Sequence, residues 1–168
     1  MKNKLYLALA PILAAVLVYA LFFRANDEDR IRQKLAALEV AMKSGASQSD
    51  AAARPLRIQK AFASIFTPRV HADIPQVEAG DMPREELTAL AASSADRVQG
   101  LDVAFSRVHL EIDARAQPPR ADVDALATLT SAGRGEVTQE RNVYQVTLHF
   151  EKTKDEWRVT RVAAAPVN

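Results

Sequence analysis

Between Leu101 and Val167 the chain runs through four successive stretches of alternating apolar and polar residues, and this pattern limits the fold more than any other feature. Successive side chains of a strand point to opposite faces, so each stretch reads as a strand buried on one side. In the first, Val103 and Phe105 share one phase while Val108, Leu110 and Ile112 share the other. One extra residue near Ser106 and Arg107 restores a common inward face, so the spacing predicts a bulged, bent strand. Gln117, Pro118, Pro119 and Arg120 then break the run, because proline has no N–H to give the ladder. Val123, Ala125, Ala127 and Leu129 mark the second strand, and Gly133, Arg134 and Gly135 turn the chain. Tyr144, Val146, Leu148 and Phe150 form the clearest inward row, with Gln145, Thr147, His149 and Glu151 opposite. A polar turn at Thr153 to Glu156 leads into Trp157 and Val159, and a second phase slip brings in Val162 and Ala164. Four strands in this order predict a curved antiparallel sheet on which the preceding segments fold.

The N-terminus has a different character. Leu5 to Phe23 is nineteen residues without a formal charge, which at helical rise covers roughly 28 Å, close to the hydrocarbon thickness of a bilayer. Lys2 and Lys4 precede it and Asp27, Glu28 and Asp29 follow Arg24, so the short N-terminal tail is expected on the cytoplasmic side. The expected layout is a membrane anchor over residues 1–24 and one domain over 25–168, outside the cytoplasm of a bacterial cell, in the periplasm or extracellular space. A cleaved signal peptide ending near Val18, Tyr19 and Ala20 is the competing reading. Apolar residues continuing to Phe23 favour the anchor.

The domain is long enough to bury about two-thirds of its unfolded surface. With 22 basic and 21 acidic residues the chain has a net charge of +1, which argues against a nucleic-acid footprint. The absence of cysteine excludes disulfides, thiolate metal sites and thiol chemistry. Asn26 to Ser44 reads as a helix capped by Asn26, with Ile31, Leu35, Leu38 and Met42 on one face and Gly45 as its stop. Ala46 to Arg54 reads as a flexible connection. Pro55 is expected to open a second helix with Ile58, Phe62, Ile65 and Phe66 as its stripe, and Pro68 to close it. Val70 to Ile74 suggests a short edge strand, followed by a loop with Pro75, Gly80 and Pro83. A third helix runs from near Pro83 to Gln99, with Leu87, Leu90, Ala91 and Val98 on one face and Gly100 beyond.

Three helices, a short strand between the second and third, and a four-strand meander resemble the NTF2-like superfamily, the cystatin-like α+β cone. The likeness is strongest in PREELTALAASSADRVQGLDV, ending at Val103, and in VTLHFEKTKDEWRVTRV from Val146 to Val162, which is similar to the final hairpin of many bacterial members. The resemblance implies an α+β domain of three helices packed on a curved, mainly antiparallel sheet, an apolar pocket between them, and frequent dimerisation. It implies no particular activity, because the fold hosts enzymes, binders and scaffolds alike. The pocket residues expected on this basis are Phe62, Phe66, Phe105, Tyr144, Val146, Leu148 and Trp157.

Catalysis in such a pocket needs titratable groups that converge inside it. His109 and His149 occupy the polar phase of their strands and so belong to the outer sheet face; a surface metal pair between them would lack a third ligand. His71, with Asp73 two residues on, and the inward phenol Tyr144 are the remaining catalytic candidates. Each also has a plainer reading, as a solvated strand pair and a core aromatic. Gly133 and Gly135 lack the third glycine and the lysine of a phosphate loop. Asp27 to Arg32 lacks the turn glycine of a cation loop. No cofactor or metal is expected.

The sequence therefore predicts a membrane-tethered module that binds a protein partner in the membrane or periplasm, or a small apolar ligand. The anchor-plus-domain layout also resembles the VirB8-like scaffolds of secretion machines, although only four residues precede the span. A pocket isomerase or lyase is the catalytic alternative. The outer sheet face is polar, so any homodimer through it is expected to be weak.

Overall fold

The computed structural model describes residues 27–43, 48–75, 77–97, 101–132 and 139–167. Helix α1 covers residues 27–42, α2 Gln48–Ile65 and α3 Arg84–Arg97. The strands are β1 Phe66–Asp73, β2 Gly80–Pro83, β3 Asp102–Asp113, β4 Arg120–Ala132, β5 Gln139–Thr153 and β6 Glu156–Pro166. They form one sheet in the order β2-β1-β6-β5-β4-β3. Only the β1–β6 pair is parallel among these neighbours.

Both phase slips of the alternation are real bulges. The register moves from Ser106 opposite Leu126 to His109 opposite Asp124, with Arg107 in the left-handed region at φ 50°. Two residues of β3 thus oppose one of β4, and Val103, Phe105, Val108, Leu110 and Ile112 share the inward face. In β6 Thr160 is the extra residue, since Phe150 pairs with Val159 and His149 with Arg161. Lys154 and Asp155 both have positive φ, 50° and 64°, the geometry that lets a two-residue turn follow the twist of the β5–β6 hairpin.

The core joins one face of the sheet to all three helices. Ile31, Leu35 and Leu38 of α1 and Ile58, Phe62 and Ile65 of α2 cluster with Val123, Leu148, Phe150, Trp157 and Val159. The first turn of α1 is fixed by a partly buried ion pair, Lys152 Nζ lying 3.0 Å from both carboxylate oxygens of Asp27. The same ammonium lies 5.8 Å from the Trp157 ring centroid.

Three local expectations need correction. Helix α2 begins at Gln48 and carries Pro55 inside it, so the connection assigned to Ala46–Arg54 is largely helical. Three alanines favour the helix there, and Arg54, only 5% exposed, anchors it by donating to the carbonyls of Met42 and Ala95 at 2.8 Å and of Leu101 at 3.5 Å. These contacts tie α2 to the ends of α1 and α3 and offset the hydrogen bond that proline cannot make. Second, α2 stops at Ile65 and β1 starts at once, so Phe66 is buried from a strand. Third, the segment read as a loop contains β2, which pairs antiparallel with β1 through Val70–Met82 and His71–Asp81. Strand β1 is therefore interior, between β2 and β6, rather than an edge.

The proposed membrane span at Leu5–Phe23, the Asn26 cap, Val98, the stops at Gly45 and Gly100 and the turn at Gly133–Gly135 lie outside the described residues. Among the described residues no helix is long and apolar enough to cross a membrane.

Candidate functional site

A cavity of about 450 Å³ lies where α2, α3, β1 and β6 meet. The change from α2 to β1 at Phe66 places Phe62 and Phe66 side by side, their rings tilted by 34° with centroids 4.8 Å apart. Leu87, Leu90 and Ala91 of α3 line the facing wall, Val162 of β6 contributes from the sheet, and Ile74, Pro75 and Val77 form the rim. Its polar lining is Ser93 and Ser94, and the Ser93 hydroxyl donates to the Leu90 carbonyl at 3.0 Å. No titratable side chain lines this cavity among the described residues. Its size falls within the range of small-molecule sites, and such a lining attracts apolar surface.

Of the expected pocket residues, Phe62 and Phe66 border this cavity. Leu148 is buried in the core at 3% exposure. Phe105 and Tyr144 are half-buried further along the inner face, flanking Ala127 on its two neighbouring strands, and Val146 is one pair along beside Ala125. Trp157 is also core, and borders a separate cleft of about 400 Å³ with Arg30, Lys34 and Ser64. There Lys34 donates to the Ser64 carbonyl at 2.8 Å. Burial lowers the pKa of its ammonium, with Glu156 acting in the opposite direction. The sequence missed the cavity's remaining wall. Leu87, Leu90 and Ala91 were legible as the apolar face of α3, but nothing local distinguishes a face that fills its groove from one that leaves room.

The histidines all belong to the opposite side of the sheet. His71 Nδ1 lies 2.8 Å from Asp81 Oδ1, across the β1–β2 pair, so its carboxylate partner is Asp81 and not Asp73. His149 Nδ1 lies 2.5 Å from Asp122 Oδ1, and His109 Nε2 lies 3.1 Å from Glu111 Oε1. The His109–His149 metal pair does not form. His109 faces Asp124 and His149 faces Asp122 on the strand between them, and no group of three metal-ligating side chains occurs among the described residues. His71 and Tyr144 are not brought together either, lying on opposite faces of the sheet.

No protein-family model matches the sequence, and no curated protein matches it. Solved structures match across most of the domain. An NTF2-like protein with a cystatin-like fold from Novosphingobium aromaticivorans is 15% identical, with 90% of this chain and 88% of that one covered at a TM-score of 0.66. The fold is NTF2-like. An NTF2-like family protein of Streptomyces avermitilis, proposed to be a dehydratase, is 17% identical over 86% of this chain and 99% of its own, with a TM-score of 0.65. A nuclear transport factor 2-like superfamily protein from Salmonella enterica serovar Typhimurium is 8% identical over 86% and 94%, also at 0.65. At such identities the NTF2-like likeness is one of architecture and carries no residue roles.

Proposed function

We propose that this chain is a noncatalytic binding module, an NTF2-like domain whose cavity takes a small apolar ligand and which residues 5–23 tether to the outer surface of a bacterial cytoplasmic membrane. One observation carries the binding reading: among the described residues the cavity wall is apolar apart from two serine hydroxyls, with no acid, base or imidazole in it. An isomerase, lyase or dehydratase working in that cavity would need a proton acceptor within hydrogen-bond reach of its substrate. The carboxylate-paired histidines lie on the far side of the sheet. The tether is supported by the uncharged run from Leu5 to Phe23 and the basic residues before it. A domain confined to the membrane plane meets apolar cargo and membrane partners at high effective concentration.

Native mass spectrometry of the full-length chain, extracted from its own membranes, tests both parts together. The expected species carries an intact N-terminus and a retained small molecule. Ala91→Phe, which places a ring in the cavity, should lose the small molecule while the protein stays folded. Equal retention by the wild type and Ala91→Phe would remove the cavity as the binding site. A chain shortened near Ala20 would replace the tether with a cleaved signal, and a retained protein in place of cargo would move the reading to an assembly scaffold.

A further inference from the structure

The outer face of the sheet carries one row of charged residues that the cavity does not use. Arg161 lies at its centre on β6. Its register partner on β1 is His71 and its partner on β5 is His149. Two histidines therefore flank one arginine on the neighbouring strands, whose backbones lie about 4.8 Å to either side. Each imidazole is held from beyond, His71 by Asp81 at 2.8 Å and His149 by Asp122 at 2.5 Å, through Nδ1 in both cases. The row reads Asp81, His71, Arg161, His149, Asp122 across five adjacent strands. It is nearly symmetric about the arginine.

This arrangement leaves particular donors free. With Nδ1–H donated to a carboxylate, Nε2 is the ring nitrogen left for a ligand: it accepts in the neutral ring and donates only in the imidazolium. The Arg161 side chain is exposed and makes no hydrogen bond or ion pair among the described residues. Of the nearby acids, Asp81 and Asp122 are engaged by the histidines, Glu151 with Arg120 at 3.5 Å and Asp124 by the Thr147 hydroxyl at 2.6 Å, while Asp73, two residues beyond His71 on the same face, is exposed. Arg161, His149, Arg120 and Thr160 also border a surface depression of about 310 Å³, together with the paired carboxylates Asp122 and Glu151. A planar guanidinium presents paired N–H donors that match the oxygens of a tetrahedral oxyanion, and such charge-assisted contacts are among the strongest hydrogen bonds available at a surface.

We propose that this face binds a phosphate-type oxyanion, with Arg161 as the bidentate anchor and His71 and His149, in their imidazolium form, as flanking Nε2–H donors. The site is independent of the apolar cavity and stands whether or not that cavity holds cargo. The same chemistry is offered by free phosphate, by a phosphorylated small molecule and by an anionic lipid headgroup.

The test is calorimetric titration of the full-length chain with inorganic phosphate, with vesicles containing phosphatidic acid as a second arm. Saturable phosphate binding is expected in the wild type. Arg161→Gln should weaken it by about tenfold or more, the loss of a bidentate charged contact. The double variant His71→Gln, His149→Gln should weaken it less, and His109→Gln, off the row, should leave it unchanged. Arg161 is exposed, so Arg161→Gln should unfold with the wild-type midpoint, which separates lost binding from lost fold. Arg161-dependent binding to the vesicles alone would keep the oxyanion site and give its source as a lipid headgroup. Absence of binding in both arms, or binding that Arg161→Gln leaves intact, overturns the proposal.

Discussion

The two faces of this sheet are built from the same strands and do opposite things. Along β1, Val70 and Ala72 are buried at 1% and 0% while His71 between them reaches solvent and Asp81. On β5, Leu148 and Phe150 enter the core while His149 faces outward beside Asp122. The inner side holds the cavity, which has no titratable lining among the described residues; the outer side holds the three histidines, each with a carboxylate. The cavity and the imidazoles are separated by the thickness of a sheet. Strand alternation makes the separation possible: residues next to one another in sequence lie on opposite faces, so His71 and His149 face out between neighbours that face in.

If the inner side is where folding energy resides, the largest losses must come from there. Phe62→Ala removes a buried ring that touches both the core and Phe66, and should destabilise by about 3–4 kcal/mol. Trp157 is the chain's only tryptophan and is 1% exposed, so its fluorescence reports the transition in urea. A loss below about 1 kcal/mol would mean that the cavity collapses around the deletion, and the preformed pocket would be abandoned. Arg54→Met comes next. It keeps much of the side-chain volume but removes the donors to Met42, Ala95 and Leu101, leaving helix-end carbonyls buried without those partners. About 2–3 kcal/mol is expected. An unchanged midpoint would show that Pro55 is accommodated in α2 without this anchor.

The sequence was legible wherever one face of an element is buried. The alternation in β3 to β6 located the inward rows and both bulges, because a phase slip leaves a visible mark when all the apolar residues must share a side. Helices α1 and α3 were legible from their apolar stripes. The errors cluster where a tertiary contact outweighs local preference. Pro55 looks like a helix start until the buried Arg54 guanidinium is seen holding the turn before it. Strand β2 has four residues, Gly80–Pro83, with a glycine and a proline at its ends, too short for alternation to register and defined by pairing with β1. The same limit applied to His71. Its acidic partner is ten residues away across the β1–β2 pair, and Asp73, the neighbour that sequence spacing favoured, points out of the sheet beside it. Phe105, Tyr144 and Val146 were read correctly as inward residues, yet the space between helices and sheet opens at the β1 end.

The smallest effect discriminates most sharply between the faces. His71→Gln and His149→Gln each remove a solvent-screened pair; the His149 and Asp122 side chains are 39% and 56% exposed. Pairs of that kind contribute between nothing and about 1 kcal/mol, and glutamine retains an amide donor for the carboxylate. Each substitution should therefore change stability by less than about 0.5 kcal/mol, several-fold less than Phe62→Ala, in the same urea experiment. If either lost more than about 1 kcal/mol, the row across the outer face would be part of what holds β1 between β2 and β6, and the contrast between a structural inside and a recognition surface outside would fail. If both are neutral, the fold does not require two carboxylate-oriented imidazoles beside one uncompensated arginine. The row then has no part in holding the fold, and the phosphate titration decides whether it recognises an anion.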